Sequence, residues 1–208
     1  MVWYVSYGSV MDDERLRAYM EGSAGPEGVI VPPMVDRRRP IDHANVTLPY
    51  ALYFGGWFRA WGGTASVFID PDVAGGTPAR AYLLRWGQFV ELYQRENHVA
   101  DVPLRYFPDM RAALAGNVSV RGAPYGRIVP LDAVDGTPAL TFTSAVPQRL
   151  GQPARTYLHY IARGFRVAYP DVPAEEVAVY FAGLPGIDGN VSRAEIDQIV
   201  FGCLEDTP

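Results

Sequence analysis

The chain contains no lysine: all 18 of its basic residues are arginine. Without an amine that can shed its charge or place it as a point, there is no Schiff-base lysine, no Walker-type phosphate lysine and no lysine general base. Cysteine is almost as scarce. Cys203 is the only one, which excludes an internal disulfide, a thiolate zinc cluster and a Cys-x-x-Cys redox pair; near the C-terminus, it reads as structural. His43, His98 and His159 lie far apart, without His-Glu-x-x-His or His-x-His spacing. Surface or core histidines are therefore the default reading, and no metal is expected.

Positive charge is also in deficit. With 18 basic against 23 acidic residues the formal net charge is −5, so no general basic field exists to attract nucleic acid or an acidic membrane surface. Arg37-Arg38-Arg39 could meet a carboxylate or a phosphate, but a solvated loop is the favoured reading. Long apolar runs are missing as well. The opening residues Met1 to Gly8 carry no basic leader and are too few for a signal peptide or a membrane span. A cytoplasmic protein is expected, in which the sequons at Asn45, Asn117 and Asn190 are chance matches.

What is there is enough for one sizeable core and a small appendage: 208 residues, 49% hydrophobic and 12% aromatic. The 21 glycines and 18 prolines imply many short elements joined by tight turns. Strands are predicted at Val2 to Ser6, Tyr50 to Phe54, Ala65 to Ile69, Ala79 to Leu84, Arg127 to Leu131 and Ala139 to Thr143. Helices are predicted at Asp12 to Glu21, Gly87 to Asn97 and, shorter, Tyr106 to Ala115. Their irregular mixture implies an α+β fold, a small closed or half-closed mixed β-barrel of about six strands with flanking helices.

After Pro147 the pattern turns helical, with Ala154 to Val167, Pro173 to Phe181 and Arg193 to Phe201. The division expected is a domain at 1–170 and a C-terminal helical extension at 171–208, packed on the same domain. Ser192 and Glu195 have capping-box spacing. Asp188, Asn190, Ser192 and Glu195 echo half a calcium loop, but the full ligand spacing is missing, so the cap is the better explanation.

Three places could carry chemistry. The strand Val2 to Ser6 runs into Tyr7-Gly8-Ser9-Val10 and then a helix opening with Asp12-Asp13-Glu14. Such a junction leaves backbone N–H groups free to hold an anion or a carbonyl oxygen, Gly8 allows close approach and Ser9 adds a hydroxyl. An ordinary turn explains the same residues. In the helix from Gly87, Trp86, Phe89, Val90 and Tyr93 form an apolar stripe that Glu96 shares, while Glu91 faces the opposite way. A desolvated carboxylate there would suit proton transfer; a Glu96 that fans out into solvent at the last turn stays equally open. Lastly, Pro153 begins a helix whose inner face carries Tyr157, Ile161 and Phe165, so the Tyr157 hydroxyl either donates into a pocket or serves a core tyrosine.

Taken together these motifs resemble the γ-glutamylcyclotransferase-like family. Its opening strand and Tyr-Gly-Ser-Asn loop correspond to Tyr7-Gly8-Ser9-Val10, and its glycine-containing strand before a central strand to Gly62-Gly63-Thr64-Ala65 and Ala79 to Leu84. Its acidic helix ending in a glutamate corresponds to Gln94-Arg95-Glu96-Asn97, and its Pro-Ser-x-x-Tyr helix start with a later glycine to Pro153, Ala154, Tyr157 and Gly164. The resemblance spans about residues 2 to 168 in order. It implies a barrel with a cavity between the Tyr7 loop and Glu96, and release of 5-oxoproline from a small molecule bearing a γ-glutamyl group, without a cofactor. Glu96 would be the catalytic proton carrier; Tyr7, Gly8, Ser9, Val10 and Tyr157 would bind substrate. A homodimer is compatible with it. Val10 stands where the family has asparagine, and Ala154 where it has serine. A non-catalytic binding relative and an amide hydrolase or acyl transferase are the alternative readings.

Overall fold

The computed structural model describes residues 1–24, 30–58, 62–97 and 108–202. Five strands, β1 (Val2–Ser6), β4 (His43–Phe58), β5 (Thr64–Leu84), β6 (Arg127–Val134) and β7 (Thr137–Thr143), form one sheet in the order β4-β5-β1-β7-β6. A two-stranded ladder pairs β2 (Ser23–Ala24) with β3 (Ile30–Val31). The large sheet is mixed, because β1 runs antiparallel to β5 and parallel to β7. The α+β class holds, but the expected barrel is an open sheet among the described residues, with β4 and β6 at its edges. Ala65 to Ile69 and Ala79 to Leu84, predicted as separate strands, are one strand, β5. Asp70-Pro71 and Gly75-Gly76 do not break it.

The chain forms two compact units. One comprises Met1–Ser6, Arg17–Val46 and Arg80–Pro147; the other comprises Tyr7–Leu16, Thr47–Ala79 and Gln148–Pro208. In the first, all five residues of β1 are buried, as a strand must be when both its faces are covered. Tyr4 stacks on Phe142 at 5.1 Å, and Phe89, Tyr93 and Tyr125 meet the same ring at 6.1, 5.7 and 6.0 Å. Such pairs each contribute about 0.5–1.5 kcal/mol beyond the area they bury. β6 and β7 form a hairpin whose two turn residues, Asp135 and Gly136, have φ of 46° and 73°, the left-handed geometry that matches strand twist.

Helix α2 (Trp86–Glu96) supplies Phe89, Val90, Leu92 and Tyr93 to this core. It begins where Arg85 N–H donates to the Gln88 side chain and ends where buried Asn97 donates to Tyr93 O at 2.8 Å and Tyr125 O at 3.1 Å. Tyr125 N–H returns a bond to Asn97 Oδ1 at 2.7 Å. Of the helix predicted at Tyr106 to Ala115, the described part is α3 (Met110–Leu114), capped by Asp109; Tyr106 and Phe107 lie outside the described residues. Arg37, Arg38 and Arg39 are exposed, as a solvated loop requires. Arg38 pairs with Asp36 at 2.7 and 2.8 Å and holds its carboxyl down at about 2.

In the second unit α1 (Asp13–Glu21) begins before the chain passes to the first. Helices α4 (Arg155–Ala168), α5 (Ala174–Ala182) and α6 (Arg193–Gly202) pack on one another through Leu158, Ala162, Phe181, Ile196, Ile199 and Val200. Glu195 N–H donates to Ser192 Oγ at 3.2 Å, which accounts for the serine as a cap. β5 lies so close to β4 that a Cβ on Gly75 would stand 2.6 Å from Ala51 N. The predicted cysteine and histidine positions Cys203 and His98 fall outside the described residues. Among those described, no helix is long and apolar enough to cross a membrane.

Two outcomes follow. Phe142→Ala removes the ring shared by four aromatic partners and is expected to cost about 3–5 kcal/mol in chemical denaturation. Burial pushes the Tyr180 phenol up to about 12 from its ordinary 10.0, against a Thr77 hydrogen bond that lowers it. A raised folded-state value means stability is fully present below the unfolded value and is lost as pH rises from 10.0 through about 12. Thermal melts across that window are expected to fall more steeply for the parent than for Tyr180→Phe.

Candidate functional site

Beyond Ser6 the chain leaves β1 through Tyr7 and Gly8 into a 3₁₀ turn, Ser9–Met11, before α1. Met11 N–H donates to Gly8 O at 3.0 Å and Asp12 N–H to Ser9 O at 3.3 Å. The N–H groups of Gly8, Ser9 and Val10 precede these first donors and have no acceptor within the turn. Tyr7 and Val10 are buried, and Gly8 and Ser9 half-buried. Val10, at 4% exposure, belongs to the core.

Gly8 has no room for a side chain: a Cβ there would stand 2.9 Å from Val67 Cγ1 and 3.7 Å from the Tyr157 hydroxyl. That hydroxyl accepts from Ser66 Oγ at 2.9 Å and Val67 N–H at 3.3 Å. The Tyr157 ring is buried and meets Phe54 edge-on at 6.4 Å. β5 thus fixes Tyr157 beside Gly8. The helix predicted from Pro153 begins as α4 one residue past Ala154, which offers no side-chain cap; its N–H donates instead to Thr64 Oγ1 at 3.0 Å.

The contacts that hold this loop from behind have no local signature in the sequence. Asp12, 2% exposed, caps α1 by accepting Glu14 N–H at 2.9 Å. It also accepts Arg163 Nε at 2.6 Å and pairs with Arg163 Nη2. Burial disfavours the Arg163 charge, but the Asp12 hydrogen bond and charge, with Glu14, outweigh it and hold the guanidinium above its ordinary value. Next in α4, a Cβ on Gly164 would stand 2.7 Å from Asp12 N and 2.9 Å from Met11. The close approach explains the glycine. Asp12 and Arg163 are 151 positions apart, so no local pattern links them.

Glu96 belongs to the other unit. It is the last residue of α2 and half-buried, between the sealed and solvated directions that the sequence left open. Glu91 is on another face, where it pairs with Arg95 at 2.8 Å and accepts Val35 N–H at 3.0 and 3.2 Å. The structure therefore brings Gly8 and Tyr157 together in one unit and sets Glu96 at a helix end in the other. Among the described residues no group of three or more His, Cys, Asp or Glu side chains is placed to hold a metal ion.

Comparison with known proteins bears on the fold. No family model matches the chain. A solved γ-glutamyl cyclotransferase aligns over 95% of this chain and 97% of its own, with a TM-score of 0.52 and 14% identity. An uncharacterised human protein aligns equally well, at TM-score 0.52 and 14% identity over 95% of this chain and 97% of its own. The Bacillus subtilis protein YkqA gives a TM-score of 0.50 and 18% identity over 88% of this chain and 55% of its own. In sequence, histone deacetylase 5 of Arabidopsis thaliana is 30% identical over 185 residues, which cover 78% of this chain. The chain spans only 28% of that protein's length.

Because the α4 backbone lies against Met11 and Asp12, Gly164→Val is expected to destabilise the fold by about 3 kcal/mol or more, with Gly164→Ala intermediate, in urea titrations. Unchanged stability in the valine variant would contradict the close approach.

Proposed function

We propose that this chain, which has the γ-glutamyl cyclotransferase fold, cleaves a small γ-glutamyl amide by cyclisation, releasing 5-oxoproline and the free amine or amino acid. The observation that carries the reading is the fold likeness over 95% of the chain to a protein of that name. The residues fit the chemistry. The substrate's α-amine attacks its own γ-carbonyl carbon, a C–N bond of the lactam forms, and the original amide C–N bond breaks. Five-membered closure is intramolecular, so orientation supplies much of the barrier reduction.

One proton must move in that step, from the attacking nitrogen to the leaving nitrogen. Glu96, half-buried at the end of an apolar stripe, is assigned to carry it, since partial desolvation favours a carboxyl that can both accept and return a proton. The Gly8, Ser9 and Val10 N–H groups are assigned to the carbonyl oxygen as negative charge develops there. Tyr7 and Tyr157 are assigned to the substrate's surroundings. The reaction consumes no water and calls for no cofactor.

Burial of Val10 supports a second reading, a relative that binds such compounds without turning them over. A side-chain donor at that position is replaced by a core contact, and one donor fewer in an acyl-transfer site costs roughly 3 kcal/mol of barrier. The likeness to the deacetylase carries no activity over, since it covers 28% of that protein.

Incubation with a panel of γ-glutamyl amines and amino acids, followed by mass spectrometry, separates the readings. The expected result is 5-oxoproline from at least one substrate, a fall of about 10²-fold or more in Glu96→Gln, and faster turnover in Val10→Asn. Equal turnover by Glu96→Gln would remove its role. Thermal stabilisation by these compounds without product, in the parent and in Val10→Asn, would favour the binding relative.

A further inference from the structure

We propose that Arg163, acting through Asp12, is a positioning residue that sets the direction of the Gly8–Val10 main-chain donors; the inference rests on the cyclotransferase reading above. The turn that presents these donors has no side-chain cap at its start, where Gly8 has no side chain. Burial of Tyr7 and Val10 seats the turn from below, and the polar hold on it comes at its far end, through Asp12.

Asp12 faces three ways at once. Its N–H closes the turn on Ser9 O at 3.3 Å, its Oδ1 receives Glu14 N–H at 2.9 Å, and its Oδ2 is gripped by Arg163 Nε at 2.6 Å. Rotation of the turn would break the ion pair or the cap. Arg163 Nη2 reaches Glu14 Oε2 as well, at 3.1 Å, and the guanidinium stands 5.7 Å from the centre of the Tyr160 ring. Gly164, the next residue, presses the α4 backbone on Met11 and Asp12. One turn of α4 thus supplies both an electrostatic grip and a steric stop.

The fork matters here. A guanidinium can hold one carboxylate through Nε and Nη2 while the second nitrogen reaches another acid; a lysine ammonium carries the charge without that planar geometry. Because Arg163 Nε and Nη2 are directed at Asp12 and Glu14, its role is assigned to the loop and not to substrate. A displacement of the order of 1 Å in a group that orients a reacting carbonyl can cost about 10²-fold in rate, whereas ground-state binding through the rest of the substrate is little affected.

The test compares the parent with Arg163→Lys, Asp12→Asn and Glu14→Gln by three readouts: melting temperature, amide exchange at Gly8 to Val10 by NMR, and kcat and KM for 5-oxoproline release. Arg163→Lys is expected to remain folded, to exchange about 10-fold faster or more at Gly8, Ser9 and Val10 but not in β1, and to lose about 10-fold or more in kcat with KM within about threefold. Glu14→Gln, on the exposed side of the cluster, is expected to resemble the parent. Unchanged exchange and unchanged kcat in Arg163→Lys and Asp12→Asn would overturn the positioning role. If a variant fails to fold, the other decides through the same exchange measurement. If the parent releases no 5-oxoproline from any γ-glutamyl compound, the cyclotransferase reading fails, while faster exchange in Arg163→Lys would still support, and parent-like exchange overturn, the hold on the loop.

Discussion

Strand β1 is buried on both faces and hydrogen-bonded along both edges, and much else follows from that constraint. Val2 to Ser6 pair with Leu84 to Arg80 on one side, and Trp3 and Tyr4 with Ala139 and Leu140 on the other. Thr141 Oγ1 adds a bond to Val5 O at 2.7 Å. A strand held so completely cannot slip its register without breaking both ladders and repacking the side chains of both buried faces. The residue at which the chain must leave it is therefore fixed, and that exit is Tyr7-Gly8. The chemistry proposed for the molecule uses this exit, where backbone donors are left over by the geometry of a turn.

The absence of lysine acquires a structural meaning in the fold. Arginines tie separate segments through their planar forks: Arg95 joins Glu91 to the carbonyls of Pro32 and Pro33 at 2.5 and 2.9 Å, and Arg163 joins α4 to Asp12. An ion pair at the surface such as Arg38–Asp36 contributes little, typically below about 1 kcal/mol. The Asp12 pair differs because its carboxylate is almost wholly removed from water, so loss of one partner strands a buried charge.

Much of this was legible in the sequence, and what was not has identifiable causes. β1 could be read from its continuous apolar run, α2 from its stripe and the C-terminal helices from their spacing. The resemblance drawn from Tyr7-Gly8-Ser9-Val10, Glu96 and Tyr157 pointed to the fold that the structure has. The continuity of β5 was not legible because Asp70-Pro71 and Gly75-Gly76 carry the local signature of turns, whereas tertiary pairing carries the strand straight through them; Gly75 is needed where β4 lies too close for a Cβ. The Asp12–Arg163 pair was invisible because nothing local relates residues so far apart. Gly164 was visible only as part of the resemblance; its reason, contact with Met11 and Asp12, is a property of the fold.

Lactam closure and hydrolysis differ in whether water enters the product, and that difference tests the central claim most directly. A γ-glutamyl amide turned over in ¹⁸O-enriched water should yield 5-oxoproline free of the label, with the amine released in equal amount. Labelled glutamate, or no cleavage of any γ-glutamyl compound, would contradict the account.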